Sequence, residues 1–353
     1  MKRKNKPTKP ANLFADISGI IEKARQQIAS VANLAMVYAY YEIGRHIVED
    51  EQQGKKRAEY GKQVLTELAN KLTEKFGKGF SFTNLNQMRQ FFLAYSAKAN
   101  QILQTPSEEF NPKFILSWSH YLILMRIEKV EERRFYEIES AEQQWSVSQL
   151  SRQYHSSLYE RLSLSRNKNK VMQLASKGQE IETAKDLLKN PLVLEFVGLK
   201  EESAYSETDL ETAIIGKLQD FLLELGKGFL FEARQKRFTF DEQHFFVDLV
   251  FYNRLLQCYV LIDLKTSDLK HQDLGQMQMY VNYFDRYVKK DFEKPTVGIL
   301  LCKKKTENIV KLTLPENANI YATEYNLYLP DKSLLQQKLV EWTEEFNALE
   351  KGN

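Results

Sequence analysis

Apolar residues at three- and four-residue spacing dominate the first half of the chain. Between Asp16 and Glu49 they fall at Ile17, Ile20, Ile21, Ala24, Ile28, Val31 and Leu34, which predicts one long helix. Val64, Leu65, Leu68, Leu72 and Phe76 repeat the pattern over Tyr60–Phe76, and Gly77 and Gly79 end it. Ser81 or Thr83 is placed to cap a third helix, Asn84–Ala97. Pro106 and Pro112 mark a loop. Short helical segments follow at Ser117–Arg126, Val130–Ala141 and Ser146–Leu158, the last capped by Ser146 or Ser148. The stretch Arg161–Lys177 is polar and basic, with no acidic residue, and reads either as a charged helix or as a segment lying along a phosphate backbone.

After residue 206 the period shortens. Ser206 precedes a helix predicted over Glu207–Leu225, with Ile214, Ile215, Leu218 and Leu222 apolar and Gly226 as its stop. Strand-like runs follow at Phe229–Phe240, Phe245–Tyr252 and Cys258–Lys265, separated by polar turns short enough for antiparallel neighbours. A helix over Asp273–Tyr287 and a strand over Thr296–Cys302 complete the order α-β-β-β-α-β, and a helix over Lys332–Leu349 closes the chain. The expected architecture is an all-α region, residues 11–185, followed by an α/β region, residues 191–353, with a mixed central sheet.

Composition refines this picture. A chain of 353 residues with 14 glycines and 8 prolines is neither fibrous nor mostly disordered. The net charge of +3 hides an asymmetry: residues 1–190 carry 30 Lys and Arg against 21 Asp and Glu, whereas residues 191–353 carry 20 against 26. The basic half is the candidate for a polyanionic partner. Two cysteines, Cys258 and Cys302, lie in apolar runs and read as buried reduced thiols of a cytoplasmic protein. The basic Met1–Pro10 lacks a following apolar core, so it reads as a loose arm rather than a secretory leader. The least polar stretch, Ile28–Tyr41, is too short to span a bilayer, which needs ~20 residues, so no membrane association is expected.

Two helical spots carry side chains able to meet bases or phosphates. One is the Phe80–Gln90 segment, with Asn84, Gln87 and Arg89; the other runs from Leu116-Ser-Trp-Ser-His-Tyr to Trp145–Gln153. The second resembles the helix pairs of ParB-type DNA-binding proteins, and the alternative for both is a helical bundle with solvated polar faces. His120, beside Trp118 and Tyr121, reads as a packed or capping side chain.

The chemistry concentrates where charge interrupts apolar strands. Asp248 lies within an apolar strand, and a buried unpaired carboxylate there needs a partner or a metal ion. Asp263 and Lys265, two apart on the next strand, project to the same side. If these strands pair, Asp248 reaches the same spot. Two carboxylates with a backbone carbonyl suit Mg²⁺ or Mn²⁺, and a lysine beside them suits phosphodiester hydrolysis. The bland alternative is a structural ion pair between Asp263 and Lys265. Arg234, Lys236 and Arg237, with Gln235 between them, are candidates for holding a substrate backbone, as is Arg89, and Lys303–Lys305 admit the same reading.

Asp248 followed by Asp263-Leu264-Lys265, in this element order, resembles the PD-(D/E)XK nuclease superfamily, with Val247 in place of the proline. Gln276-Met-Gln-Met-Tyr280 is similar to the Gln-xxx-Tyr motif of its RecB-like branch, where the pair lines the active site. Further segments resemble the bacterial YhcG-like nucleases: Leu223–Phe229, Phe231–Arg237, Val247–Tyr252, Gly275-Gln-Met, Met88-Arg-Gln-Phe and Leu116–Tyr121. The resemblance runs from about residue 15 to 345. It implies a helical, helix-turn-helix-like DNA-binding domain ahead of a restriction-endonuclease-like domain. It implies a metal held by Asp248 and Asp263, with a helix glutamate completing the set. Glu211 is the candidate, with Glu207 and Glu224 as competitors. Lys265, Gln276 and Tyr280 are the expected catalytic companions. A Mg²⁺-dependent DNA endonuclease follows, acting in DNA defence, mobility or repair beside proteins of those systems, with a homo-oligomer compatible. The alternatives are a non-catalytic DNA- or partner-binding protein that keeps the fold, and an RNA-processing nuclease.

Overall fold

A computed structural model describes residues 13–53, 58–96, 113–164, 168–200, 204–315 and 317–339. The basic arm, the Pro106–Pro112 loop and the last part of the closing helix lie outside these residues; the chain is helical from 332 to 339. The chain divides into two compact units, Met1–Arg133 and Arg134–Asn353.

The first unit is helical: α1 (Leu13–Gln53), α2 (Ala58–Phe76), α3 (Phe82–Tyr95) and α4 (Trp118–Leu124), with the start of α5 (Val130–Glu142). Gly77 ends α2 at φ +91°, a backbone state that glycine takes without strain. Ser81 caps α3 by accepting from the Asn84 amide. Ile47, Leu65, Ala69, Leu85 and Met88 form one core, and the rings of Phe91, Tyr95, Phe114 and Tyr121 pack as a second layer. Helices α1 and α3 touch so closely that a Cβ on Gly44 would stand 2.1 Å from the Met88 carbonyl oxygen.

In the second unit α6 (Val147–His155), α7 (Leu158–Leu164) and α8 (Lys168–Lys177) precede a six-stranded sheet. Ser146, not Ser148, caps α6, in a reciprocal box with Gln149. The strands are β1 (Leu192–Val193), β2 (Phe229–Phe240), β3 (Gln243–Asn253), β4 (Cys258–Leu264), β5 (Val297–Cys302) and β6 (Ile320–Asn326), in the order β1-β6-β5-β4-β3-β2. The sheet is mixed: β2, β3 and β4 pair antiparallel, whereas β4, β5, β6 and β1 run parallel. One face packs on α9 (Glu207–Gly216) and α10 (Leu218–Leu225) through Leu210, Ile214, Phe221, Phe251 and Ile262. The other packs on α11 (His271–Tyr283) through Leu261, Met277, Val281 and Leu300. Gly298 on β5 lets α11 come close: a Cβ there would meet the Met277 side chain at 2.7 Å.

Several sequence expectations are corrected. The helix expected over Glu207–Leu225 breaks at Lys217 (φ −125°), directly after Gly216, a poor helix former, which gives α9 and α10 separate directions. Helix α11 ends at Tyr283 and continues to Val288 as one wider turn, closed by Lys289 N–H donating to the Phe284 carbonyl. Strands β1 and β6 and the short helix α12 (Glu307–Thr313) were not anticipated. Of the two readings of Arg161–Lys177, Arg161 takes the helical one: it lies in α7 and is wholly buried against Glu224. Arg152 and Arg161, on α6 and α7, are ion-paired to Glu224 on α10 and so tie these helices into the second unit.

Candidate active site

The pairing of Leu249 with Ile262, carried one residue further, sets Asp248 opposite Asp263. Asp248 Oδ2 accepts from the Leu264 amide at 2.8 Å, which fixes its carboxylate at the carboxyl end of β4. Strand β4 is parallel to β5 here, and Lys265 N–H donates to the Leu301 carbonyl. The carboxyl ends of parallel strands are where open α/β sheets present their sites. Lys265, two residues beyond Asp263, brings Nζ to 2.6 Å from Asp263 Oδ2 and 3.6 Å from Glu207 Oε2.

The electrostatics follow from burial. The Asp263 carboxyl is pushed up from 3.8 to about 7, by burial first and by the nearby Asp248 second, against the pull of Lys265. Burial of Lys265 favours its neutral amine, but Asp263, Glu207 and Asp248 outweigh it and hold the ammonium charged above the ordinary lysine range. Asp263 Oδ2 is buried and, despite its ionic contact, has no hydrogen-bond donor in aligned geometry.

Gln235 was grouped with its cationic neighbours in the sequence, but its own role was missed. It sits in β2 at φ +47°, a left-handed backbone that costs a non-glycine residue about 1–3 kcal/mol. Its Nε2 donates to Glu211 Oε2 at 2.6 Å and to Asp248 Oδ1 at 2.9 Å, joining helix α9 to the acidic pair. No sequence signal marks it, because backbone φ is not written in a side chain. The other Glu211 oxygen accepts from Arg234 Nε at 2.6 Å.

The remaining candidates separate. On α11 Gln276 Nε2 donates to the Tyr280 hydroxyl at 2.5 Å, and Tyr280 is almost wholly buried. Burial, then Asp263, push that hydroxyl up to about 12, so it stays neutral beside the acids. Glu224 is engaged in the buried ion network and stands apart from these residues, whereas Glu207 faces Lys265. Lys236 lies 3.5 Å from Glu232, and exposed Arg237 meets His244. Lys303 stands over the Tyr205 ring. Arg89, in the first unit, is held by both oxygens of Glu51. His120 Nδ1 lies 2.7 Å from Ser117 Oγ, at the start of α4.

Among the described residues no group of three or more His, Cys, Asp or Glu converges as metal ligands; Glu211 and Asp248 each accept a hydrogen bond at both oxygens. Two facing carboxylates remain, one with a buried oxygen lacking an aligned donor. That hard-oxygen set fits Mg²⁺, which is commonly held by one or two carboxylates plus substrate phosphates. The metal-free pair also makes a stability prediction. With the Asp263 pKa raised, the folded chain keeps a proton that the unfolded chain releases above about pH 4, so stability falls from about pH 4 to about pH 7 and then levels. Asp263→Asn removes this loss. In chelator, urea unfolding at pH 8 is expected to find the variant more stable than wild type, with the difference vanishing near pH 4.

Residues 185–340 match the family described as YhcG PDDEXK nuclease domain, and residues 16–161 match the DUF1016 N-terminal domain. The YhcG protein of Escherichia coli (strain K12), named there as an inferred nuclease, is 37% identical over 343 residues, covering 91% of each chain. Among solved structures, a repair endonuclease from Pyrococcus abyssi is similar at 22% identity and a TM-score of 0.25, over 37% of this chain and 50% of that one. The structure of an EndoMS–dsDNA complex is similar at 19% identity and a TM-score of 0.26, over 37% of this chain and 48% of that one. The chain thus spans about half the length of these two structures. With the whole-length match to the Escherichia coli protein and the two domain matches in the same order, the chain belongs to the YhcG family and carries its PDDEXK nuclease domain.

Proposed function

We propose that this protein is a Mg²⁺- or Mn²⁺-dependent nuclease that hydrolyses phosphodiester bonds in DNA. The observation that carries the reading is the convergence of Asp248, Asp263 and Lys265 at the carboxyl end of β4. Asp248 and Asp263 would hold the cation, which when bound supplies an activated water and a Lewis acid for the phosphoryl oxygen. Glu211 and Gln235 brace Asp248. Lys265, kept cationic by its acidic neighbours, faces the place where negative charge builds up on phosphorus. Gln276, bonded to the buried Tyr280 hydroxyl, would line the site on the side of the scissile strand.

The helical region, residues 11–185, would position the DNA, and residues 191–353 would cut it. The basic balance of the first 190 residues supports that division, as do the Asn and Gln side chains of the capped helix α3. The helix-turn-helix-like character belongs to this same reading. No described helix is long and apolar enough to cross a membrane.

The test is purified protein with plasmid, linear duplex, single-stranded DNA and RNA, each with Mg²⁺, Mn²⁺ or chelator, beside Asp248→Asn. Cleavage of DNA that needs the cation and is lost in the variant is the expected result. Binding without cleavage under every condition gives the non-catalytic reading instead, and cleavage confined to RNA gives the third.

A further inference from the structure

Beyond Tyr280, on the face of α11 turned from the acidic pair, lies a cleft of about 370 Å³ that the reaction described above does not use. That volume lies in the range of small-ligand sites, ~300–1,000 Å³. Four rings line it: Phe238 and Phe240 from β2, Tyr283 from α11 and Tyr287 from the turn after it. Phe238 and Tyr283 stack at 4.1 Å with planes 19° apart and make a floor. Phe240 and Tyr287 are 52% and 65% exposed, so two aromatic surfaces stand in water beside that floor.

The polar lining is small and of one character. Arg286 is the only charged residue of the lining, and no carboxylate lines the cleft. Gln278 Nε2 donates to Asn282 Oδ1 at 3.2 Å, which leaves the Gln278 carbonyl and the rest of the Asn282 amino group for another partner. An acceptor beside a donor is the pattern that base edges match. Stacking rings, an amide pair and one cation suit a base attached to a phosphate, whereas a purely apolar ligand would leave the amides and the guanidinium unpaired.

One ring of the cleft borders a residue of the candidate site. The Phe238 ring meets the Tyr280 ring edge-on at 5.6 Å, and Tyr280 bonds Gln276 and lies within the field of Asp263. On the nuclease reading, a strand with its phosphate at the acidic pair would bring a neighbouring nucleotide to this side of Tyr280. A base stacked within a duplex has neither face free for these rings.

We propose that this cleft is a nucleobase subsite, stacking one unpaired base of the substrate strand beside the scissile phosphate, so that single-stranded or frayed DNA is cut in preference to intact duplex. The assignment rests on the nuclease reading and adds to it the form of the substrate. The probe is a single-stranded oligonucleotide carrying 2-aminopurine, titrated in chelator with full-length wild type, Tyr287→Ala, Phe240→Ala, Arg286→Ala and Lys265→Ala. Stacking on the rings quenches the fluorescence in wild type and Lys265→Ala. Tyr287→Ala and Phe240→Ala, both at exposed positions, lose the quench and bind about tenfold or more weakly, in line with ~1–3 kcal/mol per stacked base. Arg286→Ala keeps the quench but weakens binding. Metal-activated wild type cuts forked and single-stranded substrates faster than duplex.

Equal quench and affinity in wild type and the ring variants overturns the subsite, as does equal cleavage of duplex and single strand. In both cases cation-dependent cleavage by wild type leaves the nuclease reading standing. If wild type cuts no substrate, both fall.

Discussion

Lys265→Ala is expected to slow single-turnover DNA cleavage by about 10²–10³-fold, the range found when one electrostatic donor to a developing charge is removed. The ammonium is largely buried, 2.6 Å from Asp263 Oδ2, and its charge is held by three carboxylates. In the proposed reaction it would act as a positive charge beside the scissile phosphate. Lys265→Met separates charge from packing: it keeps most of the buried stem and is expected to lose as much activity as alanine. Lys265→Arg restores only part, because a planar guanidinium cannot occupy the place of a compact ammonium between Asp263 and Glu207. Cation binding by calorimetry is expected to survive in Lys265→Ala, since the carboxylates supply the ligands. Cleavage by Lys265→Ala at the wild-type rate would remove this residue from the mechanism.

The parts of the site that were legible in the sequence are those where chemistry violates a hydrophobic pattern. Asp248, Asp263 and Lys265 interrupt buried strands, and the structure brings all three together. The strands carrying them were legible because Leu249–Phe251 of β3 and Val260–Leu264 of β4 are buried at successive positions, on both faces, and so read as continuous apolar runs. Strand β6 lacks that signal: Ile320-Tyr-Ala-Thr-Glu-Tyr-Asn alternates between buried and half-buried positions and contains a glutamate, so it resembles a loop until β5 supplies its partner. Gln235 was invisible as a clamp because both its strained backbone and its two partners are set by tertiary contacts, 24 residues away for Glu211 and 13 for Asp248.

Charge was the least readable property. The same residue type serves as a surface cation at Arg237, as a brace at Arg234 and as a core element at Arg161. Nothing local separates them, since the partner of Arg161 lies 63 residues further along the chain. For the same reason Glu211, the candidate from the sequence, and its competitor Glu224 part company in the structure. Glu211 is tied to the acidic pair through Gln235, whereas Glu224 anchors the helices that precede the sheet.

Glu224→Ala is the substitution expected to cost most in stability. Its carboxylate, with no solvent exposure, accepts from Arg161 Nη1 at 2.5 Å, from Arg152 Nη1 at 3.2 Å and from the Val193 amide at 3.0 Å, and its main-chain carbonyl accepts from Lys189. Burial alone would favour the acid form. Arg161, Lys189 and Arg152 outweigh it and hold the carboxyl down at about 2. Removing the anion leaves buried cations facing one another, and breaking a buried pair from one side costs about 3–5 kcal/mol. For a unit of this size that lowers Tm by roughly 10 °C. A depressed carboxyl pKa stabilises the fold above the unfolded value, near 4.5, and the contribution disappears as pH falls toward about 2, so wild type is expected to lose stability steeply across that window while Glu224→Ala does not. Pairing Arg161→Met with Glu224→Leu removes one cation with the anion and is expected to recover part of the loss, which a double-mutant cycle in urea measures. Below its melting temperature Glu224→Ala is expected to keep cation-dependent cleavage, because Asp248, Asp263 and Lys265 bond none of these residues; a fall in rate as large as that of Lys265→Ala would instead place Glu224 within the chemistry.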